Sequence, residues 1–321
     1  MTMHAAVVRS FDHPPQYEVY DAPRPSEPGQ TLVRVLAVGL HPRVRSGAAG
    51  SHYLSTGTLP MIPGVDGVGR LPDGGLVYFA VPDDVWGSMA EQAVVDPRRT
   101  VPLPADADVV TIAAAMNPAM SAWVALRRRV PLQPGQSVLV LGATGNAGTM
   151  AVQVARRLGA GRIVGAGRNP ERLAALADVG ADEVVALDDD AEATAARLAQ
   201  AAAETDIVID YLWGRPAAAT MMALLTARAD RSRALDWIQI GAITGPTIEL
   251  PSVALRSANL RIQGCGQGSV SPRAYLAELP SLVAEIDAGT IAVSARPVPL
   301  ADVEAAWTAP ESPGQRTVLV P

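Results

Sequence analysis

Val138-Leu139-Val140-Leu141-Gly142-Ala143-Thr144-Gly145-Asn146-Ala147-Gly148 is the stretch that decides the fold. Its first four residues are a β-branched and leucine run, and glycines at 142, 145 and 148 punctuate the turn that follows. Apolar side chains then recur at Ala147, Met150, Ala151, Val154, Ala155 and Leu158, the period of a helix with one buried face. Gly159 closes that helix, and Arg162-Ile163-Val164-Gly165-Ala166 reads as a second strand. A β-turn-α-β unit of this kind can seat a pyrophosphate at the helix N-terminus, where free N–H groups and the macrodipole favour an anion. A glycine triplet alone is a weak signal. Set between a strand and a helix, with the second strand on schedule, it is a strong one. The alternative reading is an ordinary tight βα turn.

Composition bounds the rest. A chain of 321 residues exceeds the usual single core, so two domains are expected. Apolar residues at 49% and charged residues at 18% suit a globular protein with a sizeable interior. The net charge is −6, and the basic block Arg127-Arg128-Arg129 fits a helix C-terminus, so nucleic acid is not an expected partner. The single cysteine, Cys265, excludes an intrachain disulfide framework and a multi-cysteine zinc site. The N-terminus carries no basic segment followed by an apolar one, and there is no run of about 18 apolar residues to span a membrane. The expectation is a soluble, cytoplasmic protein.

Residues 1–120 read as β-rich. Strand-like runs at His4–Arg9, Tyr17–Asp21, Thr31–Leu40, Gly75–Ala80 and Glu91–Val95 are separated by proline and glycine. A short alanine-rich helix over Ile112–Met116 and a second from Met120 to Arg129 follow. From Ser137 a βαβα alternation takes over, with strands at Val138–Leu141, Ile163–Ala166, Glu183–Ala186, Ile207–Ile209, Trp237–Ile240 and Leu260–Gln263. Helices at Asp190–Ala203 and Pro216–Ala227 lie between. Such crossovers predict a doubly wound parallel sheet with its ligand crevice at the strands' carboxyl ends. The last sixty or so residues hold one helix, Arg273–Ala288, and strands at Ser294–Pro299 and Arg316–Val320. Too short for a core of their own, they are expected to rejoin the N-terminal β domain.

The layout resembles the medium-chain dehydrogenase/reductase superfamily, in its zinc-free quinone oxidoreductase branch. Carrying the resemblance are Val35–Pro42 with Arg45-Ser46-Gly47, Ile62-Pro63-Gly64-Val65-Asp66-Gly67-Val68-Gly69, Gly87–Glu91, the Gly142–Gly148 turn, Ile240-Gly241-Ala242, and Gly314–Leu319. It implies an α/β fold: a GroES-like, β-rich catalytic domain from 1–120 and 262–321, and a Rossmann nucleotide-binding domain from 121–261. Zinc-dependent relatives would place metal ligands at His41, Val65 and near Asn117. Valine cannot coordinate, and one imidazole with an amide makes a poor zinc site, so no metal is expected. A homodimer is implied too, with Leu260–Gln263 as a candidate edge for sheet continuation.

The resemblance carries the cofactor seat to Gly142, Ala143, Thr144, Gly145, Asn146, Ala147 and Gly148, with Ala143 replacing the first glycine of GxGxxG. An NAD-preferring fold usually places Asp or Glu at the end of the second strand. Here Gly167 stands there, with Arg168 beside it and Arg172 four residues on. A neutral position flanked by guanidinium groups favours a 2′-phosphate, so NADPH is the expected cofactor; otherwise both arginines are solvated helix-start residues. The tyrosine that branch members often carry after the third strand is absent from Ala186-Leu187-Asp188. Gly241, Ala242 and Ile243 would face the carboxamide, and Gly264, Cys265 and Gly266 the nicotinamide crevice. Cys265 itself reads as a packing residue more than a nucleophile.

His41 occupies a position where the resembled branch usually has asparagine. It could donate a hydrogen bond to a substrate carbonyl and supply a proton, or simply satisfy a backbone carbonyl. Tyr53, in the loop 48–54, either offers its hydroxyl to substrate or packs, and His52 beside it is expected to be exposed. Asp66 is read as a structural cap on backbone N–H groups. Asn117 and Ser121 either face the nicotinamide and its ribose or cap a helix. Asp188-Asp189-Asp190 reads as a loop and helix start rather than a metal site. The function implied is zinc-independent hydride transfer from NADPH to a quinone or an α,β-unsaturated carbonyl. The alternative is a nicotinamide-binding redox sensor or structural protein with little turnover.

Overall fold

Short apolar runs cut by proline and glycine make the N-terminal region a set of short strands. The computed structural model describes residues 1–81, 85–310 and 314–321. Strands β1 (Thr2–Val7) and β2 (Gln16–Asp21) pair antiparallel. Then follow β3 (Thr31–Gly39), helix α1 (Pro42–Ala48), β4 (Asp66–Arg70), β5 (Leu76–Ala80), β6 (Gln92–Val95) and β7 (Thr100–Pro102). Helix α2 (Val109–Val124) begins on Asp108, whose Oδ1 accepts the N–H groups of Val110 and Thr111 at 3.0 and 3.1 Å. The two short helices expected here are one, continued by a π turn over Ala125–Arg129. Pro118 lies inside it and removes one backbone bond, while burial of Ile112, Met116, Ala119 and Trp123 holds the helix together. Among the described residues, Val109–Arg129 is the helical stretch whose length and apolarity would suit a bilayer, and most of it is buried in the protein.

The central region alternates as its period predicts: β8 (Ser137–Leu141), α3 (Asn146–Arg157), β9 (Arg162–Gly167), α4 (Pro170–Ala175), β10 (Glu183–Ala186), α5 (Ala191–Ala202), β11 (Ile207–Asp210), α6 (Gly214–Ala227), β12 (Leu235–Gln239), α7 (Ser252–Arg256) and β13 (Leu260–Gly264). These strands form a parallel sheet in the order β10-β9-β8-β11-β12-β13. That is the doubly wound order with a switch point between β8 and β11. Leu139, Leu141, Val164, Val208, Leu224 and Trp237 pack its core.

The helix expected over 273–288 is two, α8 (Pro272–Leu276) and α9 (Leu279–Asp287). Pro280 has no N–H to return to Leu276, and Glu278 is buried between Arg127 and Arg128. The chain then adds β14 (Ser294–Pro299), α10 (Val303–Thr308) and β15 (Gln315–Val320). Strand β15 pairs β14 in parallel and β3 antiparallel, within a sheet ordered β14-β15-β3-β4-β5-β7, with β6 also on β3. Val35, Leu40, Ile62, Phe79, Met89, Leu300 and Leu319 form its core.

Two compact units result: residues 1–117 with 279–321, and residues 118–278. The boundary expected at 262 therefore lies at 279, because β13 is the last strand of the parallel sheet and Glu278 is tied to Arg127 and Arg128.

Candidate functional site

In the parallel-sheet unit, every strand ends at the same edge. Leu141 closes β8, and Gly142 turns the chain with φ of 85°. The N–H groups of Gly142 and Ala143 both go to the Ala166 carbonyl, at 2.9 and 2.8 Å. Ala143, the departure from the glycine pattern, is fully buried beneath the turn. Gly145 is the N-cap of α3 and, having no side chain, makes no side-chain cap bond to the first turn. A Cβ at Gly148 would stand 2.1 Å from the Gly142 carbonyl oxygen, so only glycine lets helix and strand approach this closely. The result is a helix head reached by a glycine turn, with twelve residues of aligned dipole behind it, a cradle suited to a phosphate.

Beside it, β9 ends in the buried Gly167. Arg168 is exposed, whereas Arg172 turns back so that its Nη2 donates to Asn146 Oδ1 at 3.3 Å. Asn169 caps α4, its Oδ1 accepting the Arg172 N–H at 2.9 Å. At the end of β11 the buried Asp210 accepts the N–H groups of Leu212 and Trp213 at 2.8 and 2.9 Å and Trp237 Nε1 at 2.9 Å. Burial raises its pKa, and those donors offset the rise only in part. Trp213 carries φ of 56°, a strained backbone for a bulky residue. Tyr211 places its hydroxyl 2.8 Å from Ser121 Oγ, which itself donates to the Pro118 carbonyl at 2.8 Å. Desolvation pushes the Tyr211 phenol well above its usual range.

Gly241 follows β12 and donates its N–H to the Asp210 carbonyl at 3.1 Å, while Ala242 and Ile243 are exposed. After β13, Gly264 accepts from Arg129 Nε at 2.9 Å and Gly266 N–H donates to Ser269 Oγ at 2.9 Å. Cys265 is buried, and burial pushes its thiol pKa up despite Arg129 and Ser269. A raised thiol pKa is the opposite of what a nucleophile needs. Asp190 caps α5 through the N–H groups of Glu192 and Ala193, and Asp188 takes Thr194 and Arg197 as partners. The acidic run is thus a helix start.

The second polar cluster lies in the other unit. His41 precedes α1 and is 2% exposed. Its Nε2 stands 3.4 Å from Asp66 Oδ1, and its buried Nδ1 has no hydrogen-bond partner among the described residues. Asp66 Oδ2 accepts Tyr78 OH at 2.6 Å and Asn117 Nδ2 at 3.4 Å, and Ser88 Oγ donates to its backbone carbonyl at 2.6 Å. Asp66 therefore gathers side-chain donors, not the backbone N–H groups expected of a cap. Full burial alone would raise its pKa; the bonds from His41, Tyr78 and Asn117 outweigh that and lower it.

Asn117 and Ser121 are both interior residues of α2, so neither caps a helix end. Tyr53 is 69% exposed, its ring tilted by 30° against that of His52 with centroids 4.2 Å apart. His52 is partly buried rather than exposed; its Nδ1 accepts the Leu54 N–H at 3.2 Å, and burial, then Arg43, lower its pKa to about 4. The sequence reading missed Tyr78 as a partner of Asp66 and Tyr211 as a partner of Ser121. Tyr78 lies within a strand-like run and Tyr211 just past the end of one, positions that alone read as packing.

The whole chain is similar to known proteins. A protein of Emericella nidulans, named a probable NADPH-dependent quinone reductase, is 33% identical over 99% of this chain and 100% of its own. The chain belongs to the medium-chain dehydrogenase/reductase superfamily, in its quinone oxidoreductase branch, and is an oxidoreductase. The quinone oxidoreductase of Thermus thermophilus, whose structure is known also in complex with NADPH, superposes with a TM-score of 0.81 at 28% identity, over 99% of this chain and 100% of that one. A thermostable alcohol dehydrogenase from Pyrobaculum aerophilum reaches a TM-score of 0.79 at 25% identity, with 100% of both chains covered.

The family described as zinc-binding dehydrogenase matches residues 147–284, a stretch that contains none of His41, Val65 and Asn117. Among the described residues, no group of three or more His, Cys, Asp and Glu side chains could hold a metal ion. At the three positions where superfamily members would place zinc ligands, an imidazole turned to Asp66, an aliphatic side chain and an amide do not fit zinc.

Proposed function

We propose that the chain is a zinc-independent reductase that uses NADPH to reduce a quinone or an α,β-unsaturated carbonyl. The observation that carries this reading is the close glycine turn at the head of α3, flanked by Gly167 in place of a ribose-binding carboxylate and by Arg172 held against Asn146. The names of the Emericella and Thermus proteins support the same choice of cofactor and substrate class.

Gly142, Ala143, Thr144, Gly145, Asn146, Ala147 and Gly148 would hold the pyrophosphate, and Arg168 and Arg172 the 2′-phosphate. Gly241, Ala242, Ile243, Gly264, Cys265, Gly266, Asn117 and Ser121 would line the nicotinamide end. Bound NADPH supplies the hydride. In the β-rich unit, taken here as the catalytic domain, Asp66 accepts from His41 Nε2, which leaves Nδ1 to meet the substrate oxygen. A proton on Nδ1 would stabilise the developing oxyanion and then pass to it, to be replaced from solvent, while the Asp66 carboxylate holds Nε2 in place. Tyr53, on its exposed loop, is a wall or a second donor for substrate. A homodimer joined along the free edge of β13 completes the reading.

The test is oxidation of NADPH, with NADH in parallel, against quinones, enones, aldehydes and simple ketones. Turnover with NADPH confined to quinones or enones is expected. Binding of NADPH without oxidation across the panel would instead favour a redox-sensing role.

A further inference from the structure

Granted the nucleotide seat proposed above, we infer that Thr144 fixes the nucleotide preference, because its side chain fills the space a carboxylate-bearing residue at position 167 would need. Position 167 closes β9, where a sheet selective for NAD carries Asp or Glu on the ribose 2′-OH. The backbone at Gly167 is not in the left-handed region, so glycine is not required there by torsion. Space requires it. A Cβ at 167 would stand 2.4 Å from Thr144 Cγ2, 2.5 Å from Oγ1 and 2.9 Å from Cβ, closer than real Cβ atoms come to any neighbour.

Neither side of that contact can yield cheaply. Rotating Thr144 about χ1 moves Oγ1 and Cγ2 but leaves its Cβ in place. Gly167 is held by the sheet: its carbonyl accepts the Leu187 N–H at 2.8 Å, and it lies in register with Ala186 of β10. The neighbouring Ala166 carbonyl is engaged by Gly142 and Ala143 at 2.9 and 2.8 Å, which pins the turn that carries Thr144. Loss of the carboxylate is thus a packing consequence of the threonine. Arg168 and Arg172 then determine what the vacated side of the ribose attracts, a phosphate.

The experiment compares wild type, T144G, G167A, T144G/G167A, G167D and T144G/G167D by melting temperature and by fluorescence titration with NADPH and NADH. G167A is expected to lower the melting temperature in the Thr144 background and to cost little in the T144G background. T144G/G167D is expected to shift the ratio of the two dissociation constants toward NADH by on the order of tenfold or more, the worth of a charge-assisted hydrogen bond. G167D alone should lose melting temperature and bind both nucleotides worse. An equal cost of G167A in both backgrounds overturns the inference. So does G167D alone moving the ratio as far as the double variant at an unchanged melting temperature. Wild type that binds neither nucleotide would overturn the seat itself, and the preference with it, even if the melting cycle came out as expected.

Discussion

Asp66 changes its meaning between sequence and structure. After Pro63-Gly64-Val65 it reads as a bend residue, yet it is the buried acceptor for His41, Tyr78 and Asn117. Those donors lie 25, 12 and 51 residues away in sequence, and no local pattern announces such a meeting. His41 stood out because it replaces the amide usual in the resembled branch; its partner did not. Two outcomes follow at this scale. His41→Ala should lower kcat on the order of a hundredfold or more, the usual worth of a positioned proton donor, with the NADPH dissociation constant little changed. Unchanged kcat would leave His41 a structural residue. For Asp66, the folded pKa lies below the unfolded one, so the ionised carboxylate adds stability at neutral pH that is lost as pH falls through the folded pKa. The melting-temperature gap between wild type and Asp66→Asn should therefore shrink as pH drops from about 5 to below about 3. A gap independent of pH would mean that the charge of Asp66 contributes nothing.

Elements were legible wherever period and punctuation agreed. The change from a continuous apolar run to helical spacing after Gly142, and the acidic helix start at Asp190, mark helix starts that the structure keeps to within a residue or two. Two helix counts differ from expectation. Burial keeps α2 continuous through Pro118, between the two helices expected at 112–116 and 120–129, and the single helix expected over 273–288 is divided where Pro280 and the buried Glu278 stand. The close approach of α3 to β8 gives a stability prediction. Gly148→Ala would press a methyl group against the Gly142 carbonyl, costing about 1–3 kcal/mol in denaturant unfolding, with nucleotide binding weakened in step. A variant as stable as wild type would mean that the turn gives way easily.

Across the whole molecule, the return of β15 to β3 was foreseeable from length alone, since the last residues could not bury a core by themselves. The position of the boundary was not, because it depends on Arg127 and Arg128 meeting Glu278 across 150 residues of chain. At this scale the proposed function requires that one edge of the parallel sheet hold a nicotinamide nucleotide and grip its 2′-phosphate. The measurement that tests it most directly is a fluorescence titration of wild type and the Arg168→Ala/Arg172→Ala variant with NADPH and with NADH. Wild type should bind NADPH more tightly than NADH. In the double variant the NADPH dissociation constant should rise on the order of tenfold or more, while that for NADH barely moves. Equal weakening of both nucleotides would contradict it.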